Sequence, residues 1–199
     1  MRTNLKAGTL LAPLPAVMVT SGTMEQANVL TVAWTGIVNT RPPMTYISVR
    51  PTRYSYDIIK KSGEFVINLT TSKMVFETDF CGVKSGRDVP KIKKCGLHLA
   101  EASVVSAPII EESPLALECR VVDVKPLGSH DMFLAEILSV SVDGRYIDSK
   151  GKINLNQAGL MAYSHGEYFS LGRKLGSFGY SVQKRRRGTP RGGSHPQGK

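Results

Sequence analysis

The chain has 199 residues, 41% hydrophobic and 21% charged, which suits one globular domain with a sizeable core and excludes a wholly disordered chain. No apolar run approaches the ~18 residues a membrane helix needs, and two prolines interrupt the apolar start with no small-residue cleavage site after it, so a cytoplasmic protein without a membrane partner is expected. The net charge of +10 invites a nucleic-acid partner, but six of the basic residues lie in the last stretch, leaving 20 basic against 16 acidic residues in the body.

Alternation dominates the first third. AVMVT (16–20) reads as a strand, SGTMEQ as a polar connection, and ANVLTVAWTGIV (27–38) as one long strand on which Thr31 and Thr35 share a face by period two. NTRPP interrupts the ladder, because proline cannot donate to it, and MTYISVR (44–50) is the next strand. Thr52 is placed to cap a helix from Arg53 to Lys61, with Gly63 beyond its end. EFVINLT (64–70) is again β, and Ser72 is placed to cap a second helix through Met74 to Phe80. The loop CGVKSGRD then leads to a short helical piece, VPKIKKCG. Residues 114–128 and 130–144 read as two long antiparallel strands joined by a Gly-Ser-His turn, and VDGRY carries an Asp-Gly turn signal. From Lys184 onward, KRRRGTPRGGSHPQGK cannot bury apolar area and is expected to be a disordered basic tail. The expected architecture is therefore one mainly β (α+β) domain over residues 1–183, an antiparallel barrel with a few interposed helices.

Two features carry chemistry. SVRPTRYSY (48–56) places Arg50, Arg53, Ser48 and Ser55 around a strand-to-helix turn, where free N–H groups and the positive dipole end attract anions. The residues alone leave two readings open, a phosphate site or a capped helix with two solvated arginines. Cys81, Cys95 and Cys119 match neither a disulfide framework nor a zinc pattern. Cys119, in LALECRVV, is a core residue by its surroundings. His98 and His130 read as ordinary surface residues. Neither a G-x-G-x-x-G turn nor a P-loop is present.

Several blocks in order settle between the two readings. NVLTVAWTGIV followed by PP, ISVRPTRYSYDII, GEFVINL, DFCGVKSGRD, PLALECRV and the segment from Tyr163 to Gly172 resemble the flavin reductase-like, FMN-binding split-barrel proteins, flavoredoxins included. The resemblance covers roughly residues 8–182. It implies an antiparallel FMN-binding split β-barrel with FMN as cofactor, lying against Asn28–Gly36 with its phosphate at Ser48–Tyr56. The residues expected to bind the cofactor are Asn28, Val29, Thr31, Ala33, Trp34, Thr35, Ser48, Val49, Arg50, Arg53, Ser55, Tyr56, Cys81, Gly82, Lys91 and His165, with a hairpin end open for Asn28, core packing for Trp34 and a solvated side chain for Lys91. No catalytic residue or metal ligand is implied, since the cofactor carries the chemistry.

The activity so implied is oxidoreduction, with electrons passing from NAD(P)H or a redox protein through FMN to free flavin, ferric iron or a protein acceptor. A non-enzymatic FMN electron carrier is the alternative, and a nucleic-acid-binding protein using the basic tail is less favoured. A homodimer with FMN near the interface is also implied, the Cys81–Asp88 loop of one chain reaching the Asn28–Gly36 strand of the other.

Overall fold

The fold is taken from a computed structural model, which describes residues 1–182; the expected basic tail lies outside the described residues. In chain order the elements are β1 (Leu14–Pro15), β2 (Val17–Ser21), β3 (Asn28–Val32), β4 (Thr35–Thr40), β5 (Pro43–Val49), α1 (Tyr54–Ser62), β6 (Glu64–Leu69), α2 (Val75–Val83) and α3 (Lys91–Cys95). Then come β7 (Leu99–Ala100), β8 (Ile109–Ile110), β9 (Leu115–Pro126), β10 (Asp131–Val142), β11 (Met161–Ser164) and β12 (Glu167–Ser170).

Seven strands form one antiparallel sheet in the order β3-β2-β6-β9-β10-β5-β4, so β3 and β4, adjacent in sequence, are its two end strands. The single long strand expected over 27–38 is therefore two strands. Its ladder breaks at Ala33 and Trp34, where the chain leaves one end of the sheet and joins the other. Such a step needs the sheet to curl until its ends approach, and β3 comes into contact with β5; the Ser48 amide donates to the Trp34 carbonyl at 2.9 Å, carrying the β4–β5 ladder back to the break. A period-two reading cannot see the break, because both halves are good strand sequence. Thr31 and Thr35 accordingly do not share a strand face.

The main core fills the inside of this curl. Val17, Val19, Leu30, Ile47, Ile59, Phe65, Cys119 and Phe133 are buried there, and Cys119 takes the core place expected of it. A second cluster, with Met18, Val29, Met74, Cys81, Leu97 and Ile110, lies between the sheet and α2 with α3. Strands β1, β11 and β12 form a separate three-stranded sheet.

Helix α1 starts one residue later than expected. Arg53, with extended backbone, occupies the N-cap and no side chain caps the helix, so Thr52 does not have that role. Its end is as expected: Gly63 adopts φ 70° and its N–H closes on the Ile59 carbonyl, a left-handed cap that glycine adopts without Cβ strain. Ser72 does not cap the second helix either. Residues Ser72–Met74 form a tight 3-10 turn, and α2 runs on to Val83, taking Cys81 and Gly82 into the helix instead of the following loop. Among the described residues, no helix is long and apolar enough to cross a membrane.

Candidate functional site

Where β3 gives way to β4, a cavity of about 530 Å³ opens between the sheet edge, the start of α1 and the end of α2. Residues Leu30 to Trp34 form one wall. Among the described residues β3 pairs only with β2, so the main-chain groups along its other edge have no strand partner there. Ser48, Val49, Arg50 and Arg53 line a second side, and Gly82 and Val83 a third. Trp34 is packed against the ring of His130, with centroids 4.4 Å apart. His130 follows the turn between the two longest strands, and pairing of Asp131 with Val49 sets it beside Arg50.

His130 is thus a site residue that its sequence context presented as surface. Only the long-range pairing of β10 with β5 brings it there, and no local pattern encodes that pairing. Burial, and then the nearby Arg50 charge, hold its imidazole below the usual pKa, favouring the neutral ring. Asp79, Tyr163 and Tyr168, which no local pattern in the sequence marks, also line the cavity. Tyr168 donates to Asp79 at 3.2 Å and its ring packs 5.5 Å from that of Tyr163. Burial first, and then the Asp79 charge, push the Tyr168 phenol up to about 12.

A smaller recess of about 140 Å³ adjoins at the N-terminus of α1. Arg53 and Thr52 border both spaces. Asn28 and Ser55 line the recess, the Asn28 amide donating to the Ser55 hydroxyl at 2.6 Å. Lys91 enters from α3, buried to 4% exposure, with Nζ donating to the Cys81 carbonyl at 3.0 Å. Arg53 donates to the Gly82 carbonyl, which ties α2 to the start of α1. Burial lowers the pKa of Arg53, with Arg50 adding to the effect, and burial brings Lys91 down to about 8. Among the described residues none of Arg50, Arg53, Lys84 and Lys91 is ion-paired to a carboxylate. A buried and a half-buried cation, Lys91 and Arg53, beside free helix N–H groups make a site that favours an anion.

The expected residues therefore divide. Thr31, Ala33, Trp34, Ser48, Val49, Arg50, Arg53 and Gly82 line the larger cavity, and Asn28, Ser55 and Lys91 the recess. Five others do not take the expected place. Val29 is fully buried in the cluster behind α2. Thr35 donates its hydroxyl to the Tyr46 carbonyl, a contact that ties β4 to β5. Tyr56 lies in the core with its hydroxyl on Asp131 at 2.6 Å and its ring edge-on to Phe133. Cys81 points away from the cavity, its Sγ 4.0 Å from that of Cys95, and burial pushes its thiol up to about 12. His165 is exposed at the β11–β12 turn with φ 49°, while its neighbours Tyr163, Gly166 and Tyr168 reach the cavity.

A curled antiparallel sheet whose end strand borders an aromatic-walled cavity beside a basic recess defines an antiparallel split barrel suited to a flat heterocycle carrying an anionic group. The flavin reductase like domain matches residues 10–172, and the chain belongs to that family. A protein of Archaeoglobus fulgidus is 33% identical over 160 residues, covering 80% of this chain and 89% of its own. The NADH-dependent FMN reductase AsuE2 of Streptomyces nodosus subsp. asukaensis is 25% identical, covering 68% of this chain and 72% of its own. Among solved structures, flavoredoxin of Desulfovibrio vulgaris (Miyazaki F) superposes with a TM-score of 0.85 at 27% identity, over 92% of this chain and all of its own.

Proposed function

We propose that this chain binds FMN and works as a flavin-dependent oxidoreductase with NAD(P)H as electron donor. One observation carries the reading: the aromatic-walled cavity opens beside a recess whose cations have no carboxylate partner among the described residues. Residues Leu30–Trp34 would hold the isoalloxazine, and Arg53, Lys91 and the free amides of α1 would hold the phosphate in the recess. Bound FMN supplies the two-electron redox chemistry that none of these side chains has.

The chain's own residues bind, orient and shield. The unpaired edge of β3 offers main-chain groups to a polar ring edge, and Trp34 with the His130 ring tilted against it forms an aromatic flank that excludes water. The neutral His130 ring offers one N–H donor and one acceptor to a second substrate entering beside Arg50. Hydride transfer needs only that such a substrate lie close and aligned, so no nucleophile or carboxylate pair is required.

A titration of apo-protein with FMN, followed by oxidation assays with NADH and with NADPH, tests the reading. FMN binding with oxidation of at least one nucleotide is the expected result. A protein that takes up no FMN overturns it. The structural likeness to a flavoredoxin favours one second reading, an electron carrier between protein partners. FMN binding without nucleotide oxidation, whatever the acceptor, would select that one.

A further inference from the structure

Two of the cysteines meet behind the anion recess. Cys81 lies in α2 and is fully buried, and Cys95 is the half-buried last residue of α3. Both are free thiols, and their Sγ atoms stand 4.0 Å apart where α3 packs against α2. A disulfide bond spans about 2.05 Å, so the two sulfurs must close by about 2 Å. The α3 side has room to give: that helix is five residues long, and Gly96 ends it at φ 64° with nothing within 4 Å of where a Cβ would stand. Access comes from the same side. Cys95 lines a cavity of about 430 Å³ with Glu77, Leu97, Glu112 and Arg145, and this cavity shares no lining residue with the flavin cavity.

The pair also sits where the recess cations are anchored. Lys91, one turn before Cys95 on α3, donates to the Cys81 carbonyl, and Arg53 donates to the carbonyl of Gly82, the next residue. A bond that shifts α3 against α2 therefore displaces the anchors of both cations.

We propose that Cys81 and Cys95 are a redox modification site, in which a peroxide joins them as a disulfide and the bond weakens phosphate binding in the recess. The effect on FMN rests on the flavin reading; the cross-link does not. The Cys95 sulfur, as thiolate, attacks one oxygen of hydrogen peroxide, and the O–O bond breaks. This leaves Cys95 as a sulfenic acid, and the hydroxide released takes up the thiol proton as water. The Cys81 sulfur then attacks the Cys95 sulfur, the S–O bond breaks, and the second hydroxide leaves with the Cys81 proton as water. Two thiols thus give two electrons and two protons to one peroxide. Dioxygen that takes two electrons from a reduced flavin becomes hydrogen peroxide, so the proposed activity supplies the oxidant in air. Burial raises the Cys95 thiol and pushes Cys81 up to about 12, the Lys91 charge working against the rise at both. Thiolate is therefore scarce, and the pair answers sustained peroxide rather than each turnover.

Reduced protein treated with hydrogen peroxide, then digested and analysed by mass, tests the cross-link, and titrations with FMN and riboflavin before and after test its effect. A joined Cys81–Cys95 peptide lacking two hydrogens is expected, with the thiols counted after unfolding falling from three to one and returning with dithiothreitol. FMN should weaken about three- to tenfold on oxidation, and riboflavin less. Cys95→Ser should keep the affinity of the reduced protein and lose the response, and Cys81→Ser should do the same. A stable sulfenic or sulfinic acid at Cys95 with Cys81 still a thiol, or oxidised protein that binds FMN as before, would overturn the proposal. If the reduced protein takes up no FMN, the flavin reading falls together with the effect on it, while the joined peptide still decides the modification.

Discussion

Arg53 and Lys91 have different work at the anion recess, and their environments separate the two. Arg53 spends one donor on the Gly82 carbonyl, so its guanidinium both braces α2 and faces the recess. Arg53→Ala should weaken FMN by about 10- to 150-fold through loss of a charge-assisted contact worth ~1.5–3 kcal/mol. Riboflavin, which lacks the phosphate, should lose far less; equal loss for both ligands would show that bracing is the whole role. Lys91, brought to about 8 by burial, gives a pH signature. A bound phosphate favours the ammonium and raises the Lys91 pKa, so FMN affinity should fall as pH rises above about 8 and level off above the bound-state value. Lys91→Gln should abolish that slope, and riboflavin should show none in this window. A slope that survives in Lys91→Gln would assign the titration to another group. The same depressed pKa has a stability cost: the ammonium is disfavoured in the folded apo-protein, so stability should increase from about pH 8 toward the ordinary lysine range.

Cys81 illustrates how one residue's helical phase decides its role. In the sequence it precedes Gly82 at the edge of a loop, a position open to the flavin. The helix instead continues to Val83, and its turn sends Gly82 to the cavity and Cys81 to the cluster with Met74 and Leu97. Cys81→Ser should therefore keep FMN binding and turnover and lose about 1–3 kcal/mol of stability from the buried hydroxyl. Loss of turnover with FMN still bound would make the thiol a participant.

At the scale of elements, what the sequence declared was local. The Gly63 stop, the β9–β10 hairpin and the strand at 64–70 each follow from patterns a few residues long. The first of these is testable alone. A Cβ at Gly63 meets nothing within 4 Å, so Gly63→Ala isolates the cost of the left-handed backbone at φ 70°, ~1 kcal/mol. That corresponds to about 2–4 °C in Tm for a chain of this size, with FMN affinity unchanged. No change in Tm would mean that α1 ends without help from its cap.

The site was legible where it is built from contiguous chain, as in Ser48–Arg53 and Thr31–Trp34. It was not legible where the curl of the sheet supplies it. His130 arrives through β10 pairing with β5, and Asp79, Tyr163 and Tyr168 through α2 and a separate sheet. Each is a long-range placement that no local period records. The Ala33–Trp34 break belongs to the same class, since the reason for it is the approach of the two ends of a seven-stranded sheet.

At the scale of the whole molecule, end strands and apolar surface raise the question of assembly. β4 is an end strand with only β5 beside it, and Ile37 and Val38 on it are 69% and 52% exposed. Phe169 and Leu171, at and just beyond β12, are 50% and 58% exposed. Unpaired strand edges and apolar surface are both reduced when a second copy covers them, and two-fold symmetry does so with one sequence. Within one chain Gly82 already sits against Thr31, and the Thr31 hydroxyl donates to the Thr78 carbonyl, so the expected reach of the Cys81–Asp88 loop toward the other chain's Asn28–Gly36 strand would add to contacts each chain already makes. We therefore propose a homodimer whose contact covers apolar surface beside the FMN cavities and leaves each cavity built from one chain. Light scattering on FMN-loaded protein should report about twice the 21.7 kDa chain mass, and Ile37→Lys with Val38→Lys should shift it toward one. With each cavity built from one chain, as proposed, that dissociated variant should still bind FMN within a few-fold of the parent. A monomeric parent would remove the dimer, and loss of FMN binding on dissociation would show that the partner supplies part of the site.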